Sequence, residues 1–181
     1  MRKIHKRYVY IIDEIRKLIP DVHFDTILDC ASGVGDGSKH LVEIGSNIIG
    51  IDTDKKLIDE GCLEFSFLDM RVGNILSLDV TDDSVDFFVS SETLEHIVVQ
   101  KLPKAVAEIS RVCKKCSYLC ITVPSNKKEC LKGKHHKTYL SLKYISELFA
   151  VHGYSVVHTS VFLKNANRPR RGNRVVILER T

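Results

Sequence analysis

Residues 26–52 read TILDCASGVGDGSKHLVEIGSNIIGID, and the fold follows from how this stretch is parsed. Thr26 to Cys30 is short, apolar and partly β-branched, as a buried parallel strand should be. Asp29 sits near its end, and Gly33, Gly35 and Gly37 follow at alternate positions. Glycine lets a backbone turn sharply and approach a ligand closely, because no Cβ blocks the way. Ser38 is placed to N-cap a helix through Ile44 that Gly45 stops. A second strand, Asn47 to Ile51, then delivers Asp52. A carboxylate about 20 residues beyond such a turn is placed to accept hydrogen bonds from a ribose diol. The stretch predicts a nucleoside-binding half-sheet.

Its spacing narrows the nucleoside. A dinucleotide fingerprint reads GxGxxG, whereas this turn reads DxxxGxGxG. That spacing disfavours an NAD-dependent dehydrogenase. An acid at the strand end also opposes pyrophosphate at the following helix N-terminus. It suits a cationic or amino-acid-bearing ligand better.

Outward from this core, 181 residues suit one domain, 1–181, with a sizeable interior. Hydrophobic residues make up 44% and charged ones 28%, without repeats or low-complexity tracts, as in ordinary globular chains. The net charge of +4 is too mild to imply nucleic acid by itself. No apolar run approaches the roughly 20 residues needed to span a bilayer. The basic N-terminus lacks the apolar stretch of a signal peptide. Six cysteines in that setting read as reduced thiols. The expectation is a soluble, cytoplasmic protein of undetermined oligomeric state.

Residues 3–19 carry a helical stripe, Ile4, Tyr8, Ile11, Ile12, Ile15, Leu18 and Ile19, ended by Pro20. Residues 1–20 are therefore expected as a helix over one face of the sheet. Further elements are expected as a helix over 55–62, a strand within 66–72, a strand over 85–90, a helix over 102–112 and a strand over 118–123. An irregular loop from Ser125 to Tyr139, a helix over 141–152 and strands over 154–162 and 174–178 complete the chain.

Asp29, the glycines and Asp52 together resemble the cofactor-binding segment of class I S-adenosylmethionine-dependent methyltransferases, in a branch like methyltransferase type 11. The resemblance extends over nearly the whole chain. It implies an α/β, Rossmann-like doubly wound fold: a seven-stranded, mostly parallel sheet with an antiparallel C-terminal strand and helices on both faces. It implies S-adenosylmethionine as cofactor, with S-adenosylhomocysteine as product. Asp29, Gly33 and Gly35 would then hold the methionine moiety and Asp52 the ribose, with Ala31 and Thr53 also binding the cofactor. Asn74 and Ile75 would lie at the adenine, where the family often has Gly-Asp; the Asn74 carboxamide oxygen can still accept that bond. The competing reading of Asn74 is a plain turn with a left-handed asparagine. Many members carry an N-terminal helix over the cofactor, which residues 1–20 would then supply, and HKRY at His5 to Tyr8 resembles a segment found there in sugar- and lipid-modifying branches, with Tyr8 near the cofactor or substrate.

SSETLEHI, residues 90–97, resembles the family's segment after the fourth strand, so Ser91 is expected beside the cofactor. Methyl transfer from a sulfonium is an in-line displacement, and the enzyme mainly aligns donor and acceptor. A hydroxyl acceptor must also lose its proton, which an imidazole can take. His96 and His136 are the candidates for that base. Their bland readings are a loop-orienting residue for His96 and a solvated basic loop for His135 and His136.

The expected activity is methyl transfer to a small-molecule or sugar- or lipid-linked acceptor, without a metal. One alternative uses Glu92, Glu95, His96 and His136, which resemble the metal-ligand set of small-RNA 2′-O-methyltransferases, with Arg168, Arg170, Arg171 and Arg174 meeting phosphate. A solvated hairpin explains those arginines equally well, and no aromatic and basic interleaving marks an RNA platform. A second alternative is a non-catalytic S-adenosylmethionine-binding module. Cys113-x-x-Cys116, with Cys120, Cys130, His135 and His136 nearby, has spacing that zinc could use. Buried structural thiols are the favoured reading.

Overall fold

The computed structural model describes residues 4–163 and 172–181. Its seven strands are β1 (Phe24–Cys30), β2 (Gly45–Asp52), β3 (Asp69–Val72), β4 (Val85–Ser91), β5 (Cys113–Pro124), β6 (Tyr154–Leu163) and β7 (Gly172–Arg180). They form one sheet in the order β3-β2-β1-β4-β5-β7-β6. The first five pair in parallel, while β7 runs antiparallel to both β5 and β6. This is the doubly wound, seven-stranded sheet expected from the sequence. The order reverses at β1 and β4, so their carboxyl ends open the crevice where such sheets take ligands.

The central strands are buried on both faces, and successive residues feed two cores. Ile27 and Phe87 enter the core under α1 (Ile4–Leu18) and α2 (Lys55–Glu64), with Ile11, Ile12, Ile15 and Ile58. Leu28 and Phe88 enter the opposite core, against α3 (Leu102–Val112) and α5 (Leu142–Ala150), with Val106, Ile109, Ile145 and Phe149. Each such aliphatic side chain contributes about 1.5–3 kcal/mol relative to exposure. On β6 the burial alternates, as befits the sheet's edge strand.

Three local expectations are corrected. Ser38 does not cap a helix: Ser38–Glu43 is a 3-10 helix preceded by Gly37, and the Ser38 hydroxyl donates to Asp29 instead. A hydroxyl beside a buried carboxylate stabilises more there than at an exposed cap. The loop after β5 contains a short helix, α4 (Lys127–Lys132). Strand β5 begins at Cys113, five residues earlier than expected, with a register irregularity and a left-handed Cys116 (φ 63°) before Tyr118. Cys113 and Cys120 are buried, and desolvation raises both thiols, Cys113 to about 12. No cysteine joins a metal-compatible group among the described residues.

Candidate cofactor and acceptor site

Strand β1 ends in a chain of unusual backbone conformations: Ala31 (φ 66°), Gly33 (φ 59°) and Gly35 (φ 92°) are all left-handed. The amides of Ala31 and Ser32 both donate to the Ile51 carbonyl, which ties the turn to the end of β2. The Gly33 amide donates to Asp52 Oδ2 at 2.9 Å, and the Asp54 amide donates to Oδ1 at 3.0 Å. Asp52 thus positions the glycine turn as well as lining the crevice. A Cβ at Gly33 would meet no atom within 4 Å, so the space over it is open. Gly35 differs, since its Cβ would press on Leu68, Phe65 and Met70. There the glycine serves the turn and the packing of α2 and β3, not an opening for a ligand.

A cavity of about 250 Å³ lies at the strand carboxyl ends, bordered by Ala31, Asp52, Thr53, Asn74, Ile75 and His96, among others. A second hollow of about 320 Å³ shares Thr53, Asn74, Ile75, Thr93 and His96 and extends to Lys101 and Lys137. A larger groove of about 370 Å³ lies at the opposite, amino ends of β1 to β3. None of the expected site residues borders it, so volume is a poorer guide here than position on the sheet. Asn74 Oδ1 accepts from the Leu76 amide at 2.9 Å, which supports a turn role, but its backbone is not left-handed.

Asp29 stands behind the cavity wall. It is fully buried, accepting from Tyr8 Oη at 2.8 and 2.9 Å and from Ser38 Oγ at 2.6 Å. Burial pushes its carboxyl up to about 6, against the lowering effect of those two hydroxyls, and nearby Asp52 raises it further. The same burial and the Asp29 charge raise the Tyr8 phenol well above its usual range. Gly37 makes this contact possible, because a Cβ there would lie 2.3 Å from the Tyr8 ring. Arg7, one residue earlier, donates to Ser91 Oγ at 2.8 Å. Sequence reasoning missed Arg7, Gly37 and Ser38. The third glycine and the HKRY segment were the available signals, but only the docked helix connects them.

His96 and His136 come together, their rings edge to face with centroids 4.9 Å apart. The 133–138 loop is laced to the segment after β4: the amides of Lys137 and Thr138 both donate to the Glu95 carbonyl, and Thr138 Oγ1 donates to the Ile97 carbonyl. Glu95 is fully buried, with Oε1 4.0 Å from His136 Nε2. Ligand atoms of Glu95, His96 and His136 lie within 4.8 Å of one another. Glu92, the fourth member of the alternative metal set, does not join them among the described residues. Arg174 donates to the Ser125 carbonyl at 3.2 Å, while Arg168, Arg170 and Arg171 lie outside the described residues.

Comparison with known proteins gives the family and the fold. Residues 28–121 match the family model of the methyltransferase domain. This chain is a member of the class I S-adenosylmethionine-dependent methyltransferase family. It is 25% identical over 138 residues to a protein of Mycolicibacterium smegmatis described as a probable S-adenosylmethionine-dependent methyltransferase, covering 74% of this chain and 53% of that one. The chain therefore spans about half the length of the curated relative it matches. In fold it is similar to the magnesium protoporphyrin IX methyltransferase of Synechocystis with bound S-adenosylhomocysteine: TM-score 0.79, 12% identity, 99% of this chain and 84% of that one. It is likewise similar to the methyltransferase in complex with the Trm112 methyltransferase activator of Haloferax volcanii: TM-score 0.79, 17% identity, 97% and 91% coverage. The family's cofactor is S-adenosylmethionine. No helix among the described residues is long and apolar enough to cross a membrane.

Proposed function

We propose that this chain transfers the methyl group of S-adenosylmethionine to a small-molecule or sugar- or lipid-linked acceptor. The observation that carries the reading is Asp52, which borders the cavity and is held against the glycine turn by the Gly33 amide. Each of its oxygens accepts one backbone amide and keeps lone-pair capacity for a ribose hydroxyl. Ile51 and Ile75 supply apolar wall for a purine, and Asn74 can accept from its amino group. Open space over Gly33 and the left-handed Ala31 leave the turn accessible to the methionine portion. Asp29 acts through Tyr8 and Ser38, holding α1 and the turn in place. Transfer breaks the carbon–sulfur bond with its electron pair going to sulfur, so alignment and proton removal are what remain for the protein. His96 borders the cavity, so its imidazole is within the site's reach for that proton, and His136 packs edge to face on that ring.

Calorimetric titration with S-adenosylmethionine and S-adenosylhomocysteine tests the donor half. One saturable site per chain is expected, and Asp52→Ala should weaken it by about 1.5–3 kcal/mol per lost charge-assisted bond. An equal affinity in Asp52→Ala would remove Asp52 from the ribose. No binding at high micromolar cofactor would remove the methyl-transfer reading altogether. A screen of acceptors with methyl-labelled cofactor then identifies the other substrate.

A further inference from the structure

We propose that Arg7 anchors a carboxylate of the acceptor, so that the methyl acceptor is an organic acid; the proposal deepens the methyl-transfer reading and rests on it. Two buried polar groups stand without partners on the α1 side of the sheet. Arg7 Nη1 donates to Ser91 Oγ at 2.8 Å, but its Nε is buried with no hydrogen-bond partner. No hydrogen bond or ion pair joins Nη2 to any described residue. Nε and Nη2 share one edge of the guanidinium, the fork that grips a carboxylate through two parallel bonds. The second group is Asn173, fully buried with neither Oδ1 nor Nδ2 hydrogen-bonded.

Both groups belong to one polar row. Ser91 on β4 lies beside Thr122 on β5, with Oγ and Oγ1 3.3 Å apart. Pro124, two residues on and so on the same face, lies opposite Asn173 on β7. The diagonal from Thr122 to Asn173 is therefore about 7–8 Å. The next residues along these strands on that face, Val89, Cys120, Val175 and Ile177, are apolar. Polarity is thus confined to the end of the sheet where ligands bind. A neutral donor to Ser91 would fasten α1 equally well. A guanidinium with one edge buried and unpaired calls instead for an anion. Arg7 also stands in the first turn of α1, whose amino end carries partial positive charge and no acidic residue.

The row lies on the acceptor's side of the crevice. Asp52, at the ribose, ends β2, and the glycine turn follows β1. Strands β4, β5 and β7 continue beyond β1, so Ser91 is two strands, about 10 Å, from the line of β2. A cofactor laid from Asp52 across the turn brings its methyl group to β4, and an acid held by Arg7 meets it from β5. Arg7 takes no part in the transfer step. It fixes the acceptor and discriminates against neutral analogues, which would leave the fork unpaired.

The test follows the Arg7 Nε–H signal by proton–nitrogen NMR in the full chain saturated with S-adenosylhomocysteine. The signal is assigned by its loss in Arg7→Gln, where glutamine keeps a donor for Ser91, removes the charge and should leave S-adenosylhomocysteine affinity unchanged. Sodium acetate, the bare carboxylate, should shift the signal saturably at millimolar concentration, and acetamide should not. No saturable shift with acetate, or an equal one with acetamide, overturns the inference. S-adenosylhomocysteine could instead shift the signal itself and leave acetate without effect, while 5′-methylthioadenosine, which lacks the carboxylate, does neither. That pattern gives the fork to the cofactor and also overturns the inference. Failure of the methyl-transfer reading looks different: S-adenosylhomocysteine does not bind, acetate still shifts Arg7, and the anion site stands while its role toward an acceptor falls.

Discussion

At the scale of the residue, Tyr8 and Asp29 show how one hydroxyl can set the properties of a buried charge. Asp29 has no exposure, and its ionised form depends on the two hydroxyls aimed at it. Tyr8→Phe removes the one from α1, at a cost on the order of 1.5–3 kcal/mol for a hydrogen bond to a charged group. The folded-state carboxyl, already raised to about 6, should rise further in this variant. A raised carboxyl penalises the fold above its folded value, and the penalty is relieved as pH falls through it. The stability gap between Tyr8→Phe and the parent, measured by urea unfolding, should therefore narrow from pH 8 to pH 5. A gap that widens on acidification would mean Tyr8 does not support the ionised form. Little of this was visible beforehand. Asp29 could be recognised from the strand and the glycines beside it, but its partners lie 21 and 9 residues away and belong to different elements.

At the scale of the element, α1 is fastened to the sheet at both ends. Near its start, Arg7 and Tyr8 reach the strand ends. Near its finish, Glu14 is 2% exposed and accepts from His158 Nε2 of β6 at 2.5 Å and from Lys17. Burial alone would raise the Glu14 carboxyl. Hydrogen bonds from Lys17 and His158, with the Ser160 hydroxyl nearby, overcome it and bring it down to about 2. A depressed carboxyl contributes stability above its unfolded value, near 4.5, and that contribution is lost as pH falls toward 2. The loss should amount to about 2–3 kcal/mol, and Glu14→Gln should lack it. Acid unfolding of the two proteins followed by circular dichroism between pH 5 and pH 2 checks this; parallel curves would exclude the clamp. The helix itself was legible, because Ile11, Ile12 and Ile15 recur at helical spacing and enter one core. Glu14 was not, since one acid on an apolar stripe looks like any helix-flank residue until β6 lies beneath it.

At the scale of the whole molecule, cofactor binding and stability are coupled. A ligand that binds only the folded chain stabilises it by about 2.7 kcal/mol at 100 times its dissociation constant. For a chain of this length that corresponds to a rise in Tm of about 5–10 °C. Thermal unfolding with saturating S-adenosylhomocysteine should show this rise, and Asp52→Ala at the same concentration should show less. An identical rise in both would uncouple Asp52 from the cofactor.

The sequence by itself determined the order and type of the strands, the position of the glycine turn and the family. These depend on short-range rules: apolar runs, glycine conformations and a spacing of about 20 residues within one βαβ unit. The tertiary structure alone decided what Asp29 touches, that Gly37 admits the Tyr8 ring, and that Glu95, His96 and His136 meet. Those outcomes depend on where α1 and the 133–138 loop dock. Docking is set by many buried contacts between segments distant in the chain, and no local pattern encodes their sum.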